Sequence, residues 1–168
     1  MTTLSRLMYV SRPCLAWGKG GFLGMCDDIL VTARRRNEAA VVTGVLVAEP
    51  TMFAQVLEGS RAAVSDTFAR ICRDPRHEAI EIVEMRAVDD RRFAEWSMSF
   101  CELDGAAQAL VRRFRQGPSL DLRAMSPSAL IVFMEAAAAE QAHDNALLGA
   151  PRSSGLSPGD IAFVEAAG

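Results

Sequence analysis

The chain switches between two hydrophobic periods, and the switches mark its elements. Leu4 to Ser11 is an apolar run closed by Pro13, which cannot donate a ladder hydrogen bond, and it predicts a first strand. After a glycine-rich loop, Phe22, Met25, Cys26, Ile29, Leu30 and Ala33 recur at helical spacing and predict a helix over residues 21–36, with Asn37 at its end. Val41 to Ala48 and Met52 to Glu58 are apolar runs joined by Glu49-Pro50-Thr51, a hairpin signal. Ser60 can cap a second helix that carries Val64, Phe68, Ile71 and Cys72 inward and stops before Pro75. Ala79 to Val88 and Ser97 to Leu103 are the last two strands, separated by Asp89-Asp90-Arg91-Arg92.

The order is βαββαββ. A central hairpin with a helical crossover on each side predicts an α+β sandwich of the ferredoxin-like kind, a five-stranded sheet with both helices on one face. In that order the first and third strands are neighbours. The other face would expose apolar side chains to water, so something must cover it. Asp104 to Gln116, stopped by Gly117-Pro118, and Ser126 to Leu148, opened by Ser126-Pro127, predict two helices that serve as the lid. The expected organisation is a sandwich over residues 1–104, a helical extension over 105–148 and a flexible tail over 149–168. The tail is rich in glycine, proline and serine up to Asp160 and has a short apolar stretch beyond it.

Composition narrows the function classes. Half of the 168 residues are hydrophobic and 23% are charged, enough for one sizeable core. A net charge of −3 gives no basic field, so nucleic acid is not an expected partner. Lys19 is the one lysine among 18 basic residues, a bias of composition rather than chemistry. Cys14, Cys26, Cys72 and Cys101 form no CxxC pair and no cluster with histidine, so neither a metal site nor a disulfide framework is expected. No run approaches the roughly 18 apolar residues that span a bilayer, and no export signal opens the chain. A soluble, cytoplasmic protein with reduced thiols is the expectation.

A few residues break the structural pattern. Gln55 shares the strand face of Phe53 and Leu57, where a buried amide must find partners. It can be a satisfied core glutamine. It can also meet Tyr9, the one tyrosine of the chain, which occupies the middle of the neighbouring first strand near Asn37. Trp96-Ser97-Met98 on the last strand, taken alone, reads as ordinary packing. Arg70, Arg76 and His77 cluster at the end of the second helix, where cations complement its dipole or contact an anionic or polar ligand. Gly18-Lys19-Gly20-Gly21 lacks phosphate-loop spacing, and His77 and His143 offer no persuasive catalytic order.

Taken together, these residues resemble the BLUF family of flavin-binding blue-light sensors. The similarity runs from about Leu4 to Leu103. It is carried by Arg6-Leu-Met-Tyr-Val-Ser11, Asp28-Ile-Leu30, Arg36-Asn37, Thr43-Gly44-Val45-Leu46, Phe53-Ala-Gln-Val-Leu-Glu-Gly59, Arg70-Ile71, Asp74-Pro-Arg-His77 and Phe93-Ala-Glu-Trp-Ser-Met98. The resemblance implies FAD held without a covalent bond between the two helices of domain 1–104. It implies Tyr9 as photochemical electron and proton donor, and Gln55 as the amide bridging that hydroxyl to the flavin. Light would drive transfer from Tyr9, followed by rotation or tautomerisation of the Gln55 amide, which has a donor and an acceptor end. It further implies that Asn37 bonds the ring and Ile29 packs on it. Arg70, Arg76 and His77 would lie near its polar edge and chain, while Trp96 and Met98 would carry the change to the last strand and the covering helices.

One position departs from the family. The resemblance implies two consecutive asparagines that bind the ring, and the residue after Asn37 is Glu38. Two readings follow. The first is a stand-alone photoreceptor, expected to be homo-oligomeric, whose output passes to a separate protein because no effector domain follows. The second is a degenerate interaction module in which Glu38 has weakened flavin binding. An enzyme on this scaffold has no activated nucleophile to support it.

Overall fold

The computed structural model describes residues 3–17, 20–103, 107–115, 117 and 119–148. In chain order they form β1 (Leu4–Pro13), a single 3₁₀ turn (Leu15–Trp17), α1 (Gly21–Ala40), β2 (Thr43–Glu49), β3 (Met52–Ser60), α2 (Arg61–Ile71), β4 (His77–Ala87), β5 (Ser99–Glu102), α3 (Gln108–Phe114) and α4 (Pro127–Leu148). The tail expected over 149–168 lies outside the described residues. The five strands make one sheet in the order β4-β1-β3-β2-β5, with β1 beside β3 as the ferredoxin-like reading predicts. β1, β3, β4 and β2 pair antiparallel, whereas β5 adds to the β2 edge in parallel.

Local chemistry fixes the boundaries. Ser60 caps α2 by accepting a hydrogen bond from Ala63 N at 3.2 Å, and Ser126 caps α4 through Ala129 N at 3.2 Å. α1 runs one turn beyond the predicted stop at Arg36, so Asn37 lies inside it. It ends where Val41 turns left-handed at φ 53°, with Val41 N and Val42 N bonded back to the Glu38 and Asn37 carbonyls. That closing motif favours glycine, and a β-branched residue gave no sequence cue for it. β2 consequently starts at Thr43 instead of Val41. β5 pairs only over Ser99–Glu102, so Trp96, Ser97 and Met98 precede the strand on which they were expected. Three of their carbonyls are bonded to other elements, which keeps the segment ordered without a ladder.

The sheet has an apolar layer on each face. On one, Leu7, Tyr9, Phe53 and Leu57 pack against Met25, Cys26, Ile29 and Leu30 of α1 and Val64 of α2. On the other, Met8, Val10, Val45, Val47, Ala54 and Val56 meet Leu130, Ile131, Phe133, Met134, Ala137 and Ala138 of α4. α4 is therefore the lid that the bare face required. Gly44 lets β2 and β3 approach, since a Cβ there would stand 2.0 Å from the Val56 carbonyl oxygen.

Candidate functional site

The two-residue period of β1 and β3 sends Tyr9 and Gln55 to the α1/α2 face, and register makes them direct partners. The Tyr9 hydroxyl donates to Gln55 Oε1 at 2.5 Å, and Gln55 Nε2 donates to the Met98 sulfur at 3.2 Å. All three are buried. Burial, with a smaller repulsion from Cys72 and Asp74, raises the Tyr9 phenol well above its usual range. It therefore stays protonated and acts as donor.

Gln55 also faces a cleft between α1 and α2 with about 500 Å³ of empty space, its open mouth included. Ile29, Thr32, Ala33, Arg36 and Asn37 of α1 form one wall, and Thr67, Arg70 and Ile71 of α2 the other. Gln55 and Leu57 make the floor, and Asp74, Arg76 and His77 close one end. Ile29, Ala33, Leu57 and Ile71 offer apolar contact to a flat ring, and the arginines and amides suit a polar edge.

Charge at that end is partly neutralised. Arg76 clasps Asp74 through Nε to Oδ1 at 2.9 Å and a second nitrogen to Oδ2 at 2.5 Å. Burial would raise the Asp74 carboxyl, but the bonds from Arg76 outweigh it and hold it below the usual range. Hydrogen bonding to Asp74 raises Arg76 in turn. His77 shares a 3.0 Å contact between Nδ1 and Ser11 Oγ and packs 5.1 Å from the Phe53 ring. Burial, reinforced by Arg76 and opposed by Asp74, lowers it from 6.5 to about 4, so it is neutral at pH 7. Arg70 donates to Thr67 Oγ1 at 2.8 Å.

Of the residues singled out in the sequence, Ile29, Asn37, Gln55, Arg70, Arg76 and His77 line this one cleft. Tyr9 stands behind Gln55. Met98 joins them through Gln55, but Trp96 packs with Phe93 on the opposite face of the sheet, ring centres 6.5 Å apart. Glu38 is exposed and is not among the residues that line the cleft. Each helical residue turns about 100°, so the step from Asn37 to Glu38 carries that side chain off the wall. Arg36 stands on the wall instead, and sequence reasoning missed it. It lies seven residues after Ile29, a spacing that keeps two residues on one helix face. Thr32, Thr67 and Asp74 were missed as well. Among the described residues no cluster of side chains could hold a metal ion, and no helix is long and apolar enough to cross a membrane.

The chain that builds this cleft beside a buried tyrosine and glutamine also matches a known family. Residues 4–99 fit the family described as BLUF, sensors of blue-light using FAD, which is more than half of the chain. The chain belongs to the BLUF family. Among solved BLUF-like structures it superposes on BlsA in its photo-activated state with a TM-score of 0.71 at 25% identity, covering 80% of this chain and 94% of that one. For BlrB, a BLUF protein in its dark state, the TM-score is 0.64 at 26% identity, covering 82% and 96%. A photoactivated adenylate cyclase subunit beta from Euglena gracilis is 33% identical over 99 residues, which are 58% of this chain and 11% of the cyclase subunit. The blue light- and temperature-regulated antirepressor BluF of Escherichia coli K12 is 34% identical over 77 residues, 46% of this chain and 19% of that protein. The chain thus spans about a tenth to a fifth of these curated relatives' length. The likeness is to their BLUF segment, a sensory module that uses flavin.

Proposed function

We propose that this BLUF chain is a blue-light photoreceptor that holds FAD without a covalent bond in the α1/α2 cleft. It signals by rewiring the Tyr9–Gln55 hydrogen bond, and it passes the change to a separate protein. The carrying observation is that Gln55 lines the cleft while accepting from a buried, protonated Tyr9. The donor set fits the group: Asn37 and Gln55 offer amides to a ring edge, Ile29 and Leu57 offer apolar contact, and Arg36, Arg70 and Arg76 suit a phosphorylated chain.

When bound, the flavin supplies the blue-light absorption and the electron-accepting chemistry. Tyr9 would then give up an electron and its hydroxyl proton to that group, the Gln55 amide relaying the proton, and both would later return to Tyr9. With its acceptor end no longer matched to a donor, the amide rotates or tautomerises, and its contact with Met98 changes. Met98 and Trp96 hand the change to β5 and to α4. In this reading residues 1–104 bind flavin, 105–148 form the output layer and 149–168 are a tail. The site has no catalytic role, and the protein acts in the cytoplasm as a homo-oligomer without nucleic acid.

The exposed position of Glu38, which does not line the cleft, favours this reading over a degenerate interaction module with weak or absent flavin binding. The test is an absorption spectrum of the purified protein before and after blue light. A yellow protein with a small, reversible red shift supports the reading, and chromatography of the released flavin identifies FAD or FMN. A colourless protein that takes up no added FAD would refute it.

A further inference from the structure

We propose that Arg34 and Glu58 are positioning residues that clamp the segment 93–98 from opposite faces of the sheet and so hold the Met98 sulfur against the Gln55 amide. The inference deepens the reading above and rests on its assignment of Gln55 as the switching group. Neither residue lines the cleft.

Residues 93–98 belong to no helix or strand. Segments of that kind usually leave backbone groups to water and move. Here Phe93 N donates to Glu58 Oε2 at 2.9 Å, and Gly44 N donates to the Trp96 carbonyl at 3.0 Å. Asn37 Nδ2 donates to the Ser97 carbonyl at 2.9 Å, and Arg34 Nε donates to the Met98 carbonyl at 3.1 Å. Three successive carbonyls are therefore held by three different residues, two of them side chains of α1. The segment passes from the α4 face, where Phe93 and Trp96 pack, to the α1 face, where Met98 is buried.

The two ends are fixed by different means. Glu58 is fully buried, and its other oxygen accepts from Arg6 Nε at 2.6 Å. A buried ion pair recovers little net stability after desolvation, and directing a chain to one position is a better-attested use for it. Here the carboxylate aimed by Arg6 receives the amide at the start of the segment. At the other end Arg34 spends a long, flexible side chain on one carbonyl. The need for such a hold lies in the bond it protects. A thioether is a weak acceptor, so the Gln55–Met98 contact persists only where the backbone delivers the sulfur to the amide. That weakness also leaves the amide free to turn once its partner at Tyr9 changes.

The test uses the full chain loaded with FAD and labelled with ¹³C-methyl methionine, the Met98 resonance being assigned by its loss in Met98→Leu. Arg34→Met keeps the apolar stem and removes the donor. It should leave the melting temperature nearly unchanged, shift the dark-state Met98 methyl resonance and change the dark recovery rate by roughly two- to tenfold, the weight of one hydrogen bond. Arg34→Lys, which retains a donor of similar reach, should return the resonance toward the parent. Glu58→Gln, whose one amide oxygen must serve both Arg6 Nε and Phe93 N, should shift the same resonance. An unmoved Met98 resonance in Arg34→Met, or an equal displacement in Arg34→Lys, overturns the clamp. Absence of any light-induced shift in the parent refutes the switch reading instead, and the dark-state methyl resonance still decides the clamp.

Discussion

Tyr9 and Gln55 are cross-strand partners in the β1–β3 ladder and are bonded, hydroxyl to amide oxygen, at 2.5 Å. The relationship is set by register, because a slip of one residue would send either side chain to the α4 face. Removing one end breaks the chain of bonds without opening a large cavity. Tyr9→Phe leaves a buried acceptor unpaired and Gln55→Leu a buried hydroxyl, each at a cost of about 1–3 kcal/mol. Both variants should stay folded in thermal melts and lose the reversible red shift in light-minus-dark spectra. Full retention of the shift in either one would refute the mechanism.

The sheet was legible because its strands are short apolar runs bounded by turns, and the helices because their stripes repeat at helical spacing. Less legible were features decided by long-range bonds. Trp96 and Met98 looked like neighbours on one strand, yet Gly44, Asn37 and Arg34 hold the backbone so that they serve opposite faces. Within the site, Tyr9 and Gln55 could be singled out as polar residues in apolar runs, whereas Asn37, in a charged stretch, was assigned only through the family resemblance. Arg36 could not, since an arginine at the end of an Arg34-Arg35-Arg36 run reads as a solvated face.

Val41 closes α1 at φ 53° with an exposed side chain. Left-handed backbone costs an L-residue roughly 1–2 kcal/mol, and more for a β-branched one. Glycine removes the strain but gains freedom in the unfolded chain, which offsets about 0.4–1 kcal/mol. Val41→Gly should therefore stabilise the protein by about 0.5–1 kcal/mol, read as a higher urea midpoint at unchanged slope. A lower midpoint would mean that the Val41 side chain contributes contacts outweighing the strain.

His77 makes stability depend on pH in a definite direction. Its folded value is lowered from 6.5 to about 4, so between those values the unfolded chain binds the proton and the folded one does not. Stability falls as pH drops through that window, by roughly 2 kcal/mol between pH 7 and pH 5. Asp74, also lowered, adds a loss in the same direction at lower pH. Denaturation of the parent and of His77→Asn at both pH values isolates the effect. The variant should lose much less stability on acidification, and equal losses would remove His77 as the cause.

Glu38 and Asn37 are adjacent in sequence and differ in placement, which makes them a paired test of what the cleft binds. Asn37 lines the cleft and is buried, with its amide nitrogen on the Ser97 carbonyl. Glu38 is exposed, and an exposed carboxylate keeps its water. Asn37→Ala removes an amide from the wall and should weaken FAD binding by roughly one to two powers of ten, the equivalent of about 1–3 kcal/mol. Glu38→Asn should leave affinity within about twofold, since it alters neither the wall nor its hydrogen bonds and surface changes are usually small. The measurement is a titration of the flavin-free protein with FAD, followed by quenching of flavin fluorescence. A tenfold tightening in Glu38→Asn would mean that α1 rotates when FAD binds and brings residue 38 to the ring. In that case the glutamate, which cannot donate as an asparagine does, would be the reason for weak binding in the parent.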